Sequence, residues 1–130
     1  MEVQKSPRIK DDIELLDASG DVLKVIHVDI DPEQLLSQYN QAVCRMVSAA
    51  QAVRPGNAMS EERYGESIIA LLRLVFGDDA STLLAYYDGR YTALLDQILP
   101  YIYRRIGRQI DAIAQGRIDA MKEARRAEFG

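Results

Sequence analysis

Few residues in this chain have the type and spacing for covalent or metal chemistry. It carries one histidine, His27, and one cysteine, Cys44. Catalysis of the Ser-His-Asp or Cys-His kind needs a histidine held beside a nucleophile and a carboxylate. His27 instead alternates with apolar residues in the run VLKVIHVDI and reads as strand surface. One cysteine builds neither a Cys-rich zinc site nor an intramolecular disulfide. Cys44 follows Val43 and lies near Met46, so a buried, inert thiol is expected. Asp29-x-Asp31 and Asp78-Asp79 offer the paired oxygens that hard cations favour. Each has a simpler duty: Asp31 precedes a helix, Asp29 sits at a strand exit, and Asp78 or Asp79 is placed to cap a helix. Gly56-Asn57 and Gly77 fit no phosphate-cradling glycine pattern. No metal, cofactor or catalytic residue is expected.

Tyrosine and arginine give the stronger pattern. Five of the seven tyrosines lie between residues 86 and 103: Tyr86, Tyr87, Tyr91, Tyr101 and Tyr103. A tyrosine has an apolar body and a polar tip, which suits a protein interface and the margin of a small core alike. Arg104, Arg105 and Arg108 fall opposite Ile102, Ile106 and Ile110, and Tyr101 joins them at helical spacing. Three uses fit that face: a solvated helix surface, a partner-protein surface, or a grip on phosphate and bases. Tyr86, Tyr87, Tyr91, Tyr101, Arg104, Arg105 and Arg108 are therefore the candidate partner-binding residues.

The elements that position them can be read from turns, caps and periodicity. Residues 1–10 show no period, include Pro7, and read as a loose arm. Runs at 13–17 and 22–30 flank Ala18-Ser19-Gly20-Asp21, which predicts a β-hairpin over 11–30. Val22, Ile26, Val28 and Ile30 would share its apolar face, with Lys24 interrupting. A lone hairpin is marginal in water. It must pack on helices or pair with another subunit's edge, which leaves a homo-oligomer open.

Asp31, Pro32 and Gln34 form an N-cap, N1 and capping-box sequence for a long first helix, which Arg54-Pro55-Gly56-Asn57 ends. Ser60 is expected to cap the second helix, whose core stripe is Tyr64, Ile68, Leu71, Leu72 and Val75. A short helix follows over 80–88. The last begins near Tyr91, and Pro100 is expected to kink it or start a new one. Apolar content falls after Arg117, so 116–130 reads as a frayed or projecting helix. The expected fold is mainly α: one domain, its hairpin packed on four to five helices, with the helical core over 31–115.

Composition sets the outer limits. The chain has 130 residues, 48% hydrophobic and 28% charged, which is globular and enough for one domain. With 16 basic and 20 acidic side chains, broad positive-field binding of nucleic acid is not expected. Charge is uneven: residues 1–99 hold 9 basic and 16 acidic side chains, whereas 100–130 hold 7 and 4. A basic end segment on an acidic body seeks an acidic partner or its own body. No apolar run approaches the roughly 18 residues of a membrane span. The first twelve residues lack the apolar region of a secretory signal, so a cytoplasmic protein is expected.

The order of elements, with Val75-Phe76-Gly77-Asp78-Asp79, Tyr86-Tyr87-Asp88-Gly89 and Ile98-Leu99-Pro100-Tyr101-Ile102, resembles the small tail assembly chaperones of long-tailed bacteriophages and prophages. The likeness is fullest over residues 60–115 and extends to the N-terminal part in layout. It implies a non-enzymatic protein that binds the long helical tape-measure protein, keeps it soluble, and helps tail-tube subunits polymerise around it. It carries over no catalytic residue and no cofactor. Two rival classes follow from the residues alone. One is a small nucleic-acid-binding or regulatory protein using the Arg104, Arg105 and Arg108 face. The other is a metal-dependent hydrolase built on Asp29, Asp31, Asp78 or Asp79.

Overall fold

The computed structural model describes residues 7–129. The chain runs β1 (Ile9–Leu16), β2 (Val22–Ile30), α1 (Pro32–Ala52), α2 (Ala58–Phe76), α3 (Asp79–Tyr87) and α4 (Tyr91–Tyr101). A π-helical segment (Ile102–Gly107) then joins α4 to α5 (Arg108–Phe129). The protein is mainly helical with an N-terminal antiparallel hairpin and a long final helical path, as the sequence predicts.

The hairpin starts earlier than the sequence suggests. Ile9 pairs with Ile30, and its side chain is fully buried, so residues 9 and 10 belong to β1 and not to a loose arm. Residues 1–6 lie outside the described part of the chain. Asp11 and Asp12 have low strand propensity, and pairing with β2 overrides it. Ile9, Leu15, Ile26, Val28 and Ile30 are buried on the inner face. Val22 does not join them. It is exposed, because the register shifts between Leu15 and Leu16 and re-aims the tip of the hairpin.

α1 opens as its sequence indicates, on Asp31 and Pro32. The Asp31 carboxylate accepts from the Glu33 N–H at 3.1 Å, one position earlier than the Gln34 box implies. For α2 the cap is Asn57 and not Ser60: the Asn57 side chain accepts from the Ser60 N–H at 3.1 Å. The Ser60 hydroxyl closes the same turn by donating to the Asn57 carbonyl and accepting from the Arg54 N–H. Asp78 precedes α3 in helical conformation and makes no capping bond with its side chain. Cys44 is exposed, not buried: it lies on α1 away from the face that buries Leu35, Tyr39 and Met46.

Pro100 does not end the last helix. A helical proline withdraws a backbone donor and crowds the carbonyl four residues back. Here the chain absorbs the misfit in the turn that follows, where the Arg108 N–H reaches the Tyr103 carbonyl five residues earlier. This has a packing consequence. Side chains four apart on an α-helix rotate by about 40°, so Ile102, Ile106 and Ile110 would drift off a common line. The wider π turn takes more residues per revolution and cancels part of the drift. All three isoleucines are fully buried. They share one cluster with Leu71, Leu72 and Leu83 and with the hairpin's Ile9 and Ile26. Gly107 lies under the Tyr39 ring of α1, where a Cβ would stand 2.6 Å from the Tyr39 hydroxyl.

Candidate functional site

The structure divides the candidate tyrosines between two places. Tyr86 and Tyr101 seam the hairpin to the helices. The Tyr86 hydroxyl donates to the Leu16 carbonyl at 2.7 Å, and the Tyr101 hydroxyl donates to the Asp11 carboxylate at 3.0 Å. Tyr87 is buried, and its hydroxyl donates to the Gln97 side chain at 2.7 Å. Its ring stands edge-on to Tyr86, with centroids 5.0 Å apart and an 86° interplanar angle. Burial raises the Tyr87 hydroxyl above its ordinary pKa, with a smaller push from Tyr86. Burial and then the Asp11 carboxylate raise that of Tyr101. These three tyrosines hold the fold at the core margin.

Tyr91 is different. It opens α4, is 62% exposed, and stands at a groove between α2 and the α3–α4 turn. The groove encloses about 540 Å³. Its lining is apolar: Tyr64, Ile68 and Ile69 from α2, Leu84 from α3, and Tyr91, Leu94 and Leu95 from α4. The exposed Glu61, Glu62 and Glu66 form its rim, and Gly65 lines it on α2 with open space where a Cβ would stand. Neither Glu62 nor Glu66 has an ion-pair partner among the described residues. A cleft of this size with an apolar lining and a charged edge has room for a few apolar side chains of a docked segment.

The arginines are also divided. Arg105 donates to the Lys10 carbonyl at 3.3 Å and approaches the Asp11 carboxylate at 3.9 Å, so it braces the last helical path against β1. Arg104 and Arg108 are exposed. None of the three lines the Tyr91 groove, so the candidate tyrosines and arginines do not form one surface. The rim is acidic.

In the sequence the core stripe hides the groove. Tyr64, Ile68, Leu71, Leu72 and Val75 account for α2's buried face so well that a second face attracts no attention. Yet Glu62, Gly65, Glu66 and Ile69 stand at i, i+3, i+4 and i+7, one continuous strip beside the core. An isoleucine in an otherwise acidic strip, with a glycine at its centre, is the available signal.

The other candidates resolve into structural contacts. His27 lies on the outer sheet face with its Nδ1 2.7 Å from the Asp12 carboxylate, and both side chains are exposed. Asp29 accepts from Arg8 Nε at 2.7 Å, a bond that holds its carboxyl below the usual range. Among the described residues no three His, Cys, Asp or Glu side chains group closely enough to hold a metal ion. No described helix is long and apolar enough to cross a membrane. Comparison with protein-family models, curated proteins and solved structures finds no match for this chain.

Proposed function

We propose that this protein is a non-enzymatic chaperone that holds an amphipathic helix of another polypeptide, in the manner of the phage tail assembly chaperones its sequence resembles. The client of such a protein is the tape-measure protein, and tail-tube subunits are its second partners. It works in the cytoplasm of the bacterial host. The observation that supports this reading is the Tyr91 groove: an open apolar cleft on a small helical body, with Tyr91 exposed at its mouth. Residues of a client helix at i, i+3 and i+4 would insert among Ile69, Leu84 and Leu95. The acidic rim selects a client whose apolar face is flanked by lysine or arginine.

The experiment is co-expression with the long helical protein encoded beside it, followed by co-purification. The client stays soluble and co-purifies with the wild-type chain. It is lost with Tyr91→Ser/Leu95→Ser, while circular dichroism is unchanged. A client that remains soluble and bound to that variant removes the groove from the reading. Salt-sensitive DNA binding by the wild-type chain would favour the nucleic-acid rival instead.

A further inference from the structure

The far end of α5 matches the groove in chemistry but stands well away from it. Residues 115–128 are exposed throughout, and Ile118 and Met121 are 45% and 72% exposed. Ile118, Met121, Lys122 and Arg125 occupy i, i+3, i+4 and i+7, so two apolar and two basic side chains share one helix face. On the remaining surface of this overhang, Asp119 accepts from Gln115 at 3.0 Å, and Glu123 pairs with Arg126 at 3.6 Å. Lys122 and Arg125 make no ion pair among the described residues. The groove presents the complement: an apolar lining, with Glu62 and Glu66 on its rim and making no ion pair among the described residues.

A chain cannot bring these two surfaces together by itself. Leu94, in the groove, and Ile118, on the overhang, lie on one helical path. At about 1.5 Å per residue they are roughly 35 Å apart along its axis. Bringing Ile118 back would require breaking a helix whose middle is fixed by the buried Ile102, Ile106 and Ile110. The occupant must come from another molecule, and a second copy carries the matching face.

We propose that the α5 overhang of one copy docks across the α2–α4 groove of another. Ile118 and Met121 enter between Ile69, Leu84 and Leu95, and Lys122 and Arg125 meet Glu62 and Glu66. A cleft of about 540 Å³ takes side chains and not a helix some 10 Å wide, so the helix lies over the cleft. Each copy both donates and receives, which gives either a reciprocal pair or a growing head-to-tail chain. This goes beyond the client reading: it concerns what covers the groove before any client arrives, and a client would compete with it.

Sedimentation velocity on the full chain, with no client present, tests the proposal. The average mass rises with concentration in the micromolar range for wild type. It falls to that of one chain for Glu62→Lys/Glu66→Lys and for Lys122→Glu/Arg125→Glu. Mixing these two variants sets an intact overhang against an intact groove, and the two reversed surfaces are again opposite in charge, so an equimolar mixture associates where neither variant does alone. Met121→Asp disrupts the same contact without reversing a rim charge. All five positions are exposed, and circular dichroism checks that each variant is folded. A wild-type chain that stays single, an association indifferent to these variants, or a mixture that does not pair overturns the proposal. Client co-purification is a separate readout, so each reading can fail alone.

Discussion

The Tyr101 hydroxyl donates to the Asp11 carboxylate at 3.0 Å, joining residues 90 positions apart. Asp11 interrupts the inner face of β1, between Ile9 and Ile13, where an apolar residue would ordinarily stand. Tyr101 and Arg105, which approaches the same carboxylate at 3.9 Å, explain its presence. They convert a gap in the apolar face into the polar link that sets the hairpin against the last helical path.

Tyr101→Phe removes that bond and leaves the half-buried carboxylate with one partner fewer. The loss of such a hydrogen bond costs about 1–2 kcal/mol. Adding Asp11→Val to Tyr101→Phe restores part of it, since both partners are then apolar. Urea unfolding followed by circular dichroism measures both steps. An unchanged midpoint for Tyr101→Phe would show that the link contributes nothing to stability.

Tyr39 and Gly107 are coupled through one oxygen atom. A Cβ at 107 would meet the Tyr39 hydroxyl at 2.6 Å, but the next ring atom, Cζ, lies at 3.5 Å, ordinary van der Waals contact. Tyr39 is buried, so its ring has little room to retreat. Gly107→Ala therefore destabilises the wild type by about 1–2 kcal/mol, overpacking outweighing helix propensity. In Tyr39→Phe the same change stabilises by up to about 1 kcal/mol, because only the propensity gain remains. Thermal melts of the four proteins in this double-mutant cycle decide it. Equal effects of Gly107→Ala in both backgrounds would contradict the contact.

The same hydroxyl contributes to an alkaline limit of the fold, alongside Tyr87, Tyr101 and Tyr103, which burial also raises. Burial, with smaller pushes from Tyr103 and Asp111, raises Tyr39 from 10.0 to about 12. A raised value in the folded state means that stability is fully present below pH 10. It is lost as pH rises toward 12, where the unfolded chain releases the proton first. The gap corresponds to roughly 2–3 kcal/mol of native-state preference. Unfolding free energy measured from pH 8 to 12 declines across this window. Tyr39→Phe flattens the decline, and an identical slope in that variant would assign it elsewhere.

Local signals in the sequence are sufficient for most elements and for much of the core. Asp31-Pro32 opens α1, and the four-residue isoleucine spacing marks the buried line from Ile102 to Ile110. What escapes depends on long-range partners. Ile9 joins a strand because Ile30 pairs with it, and Asp11 is tolerated because Tyr101 reaches it. The tyrosine cluster is visible, but residue type alone does not separate an anchor such as Tyr86 from an exposed ring such as Tyr91. The hydroxyl's partner decides, and Leu16 lies 70 residues from Tyr86. The acidic rim is legible as charge but not as a rim, since that requires α4 to be placed beside α2.

Tyr87 and Tyr91, four residues apart and alike in sequence, are predicted to fail differently. Tyr87→Ala empties a core position, at a cost of about 3–5 kcal/mol. Loss of client binding in that variant would follow from loss of the fold. Tyr91→Ala removes an exposed ring and leaves the melting temperature within a few degrees of wild type while weakening helix capture. Gly65 provides a control from the other side of the groove. A Cβ there meets nothing within 4 Å, so Gly65→Ala stabilises α2 by about 1 kcal/mol and leaves the cleft open. Gly65→Trp keeps about half of that gain and puts an indole into the cleft. Binding of an amphipathic, basic-flanked helical peptide, followed by fluorescence anisotropy, then falls in Tyr91→Ala and in Gly65→Trp but not in Gly65→Ala. A folded Gly65→Trp protein that still binds such a peptide would move the site away from α2 and α4.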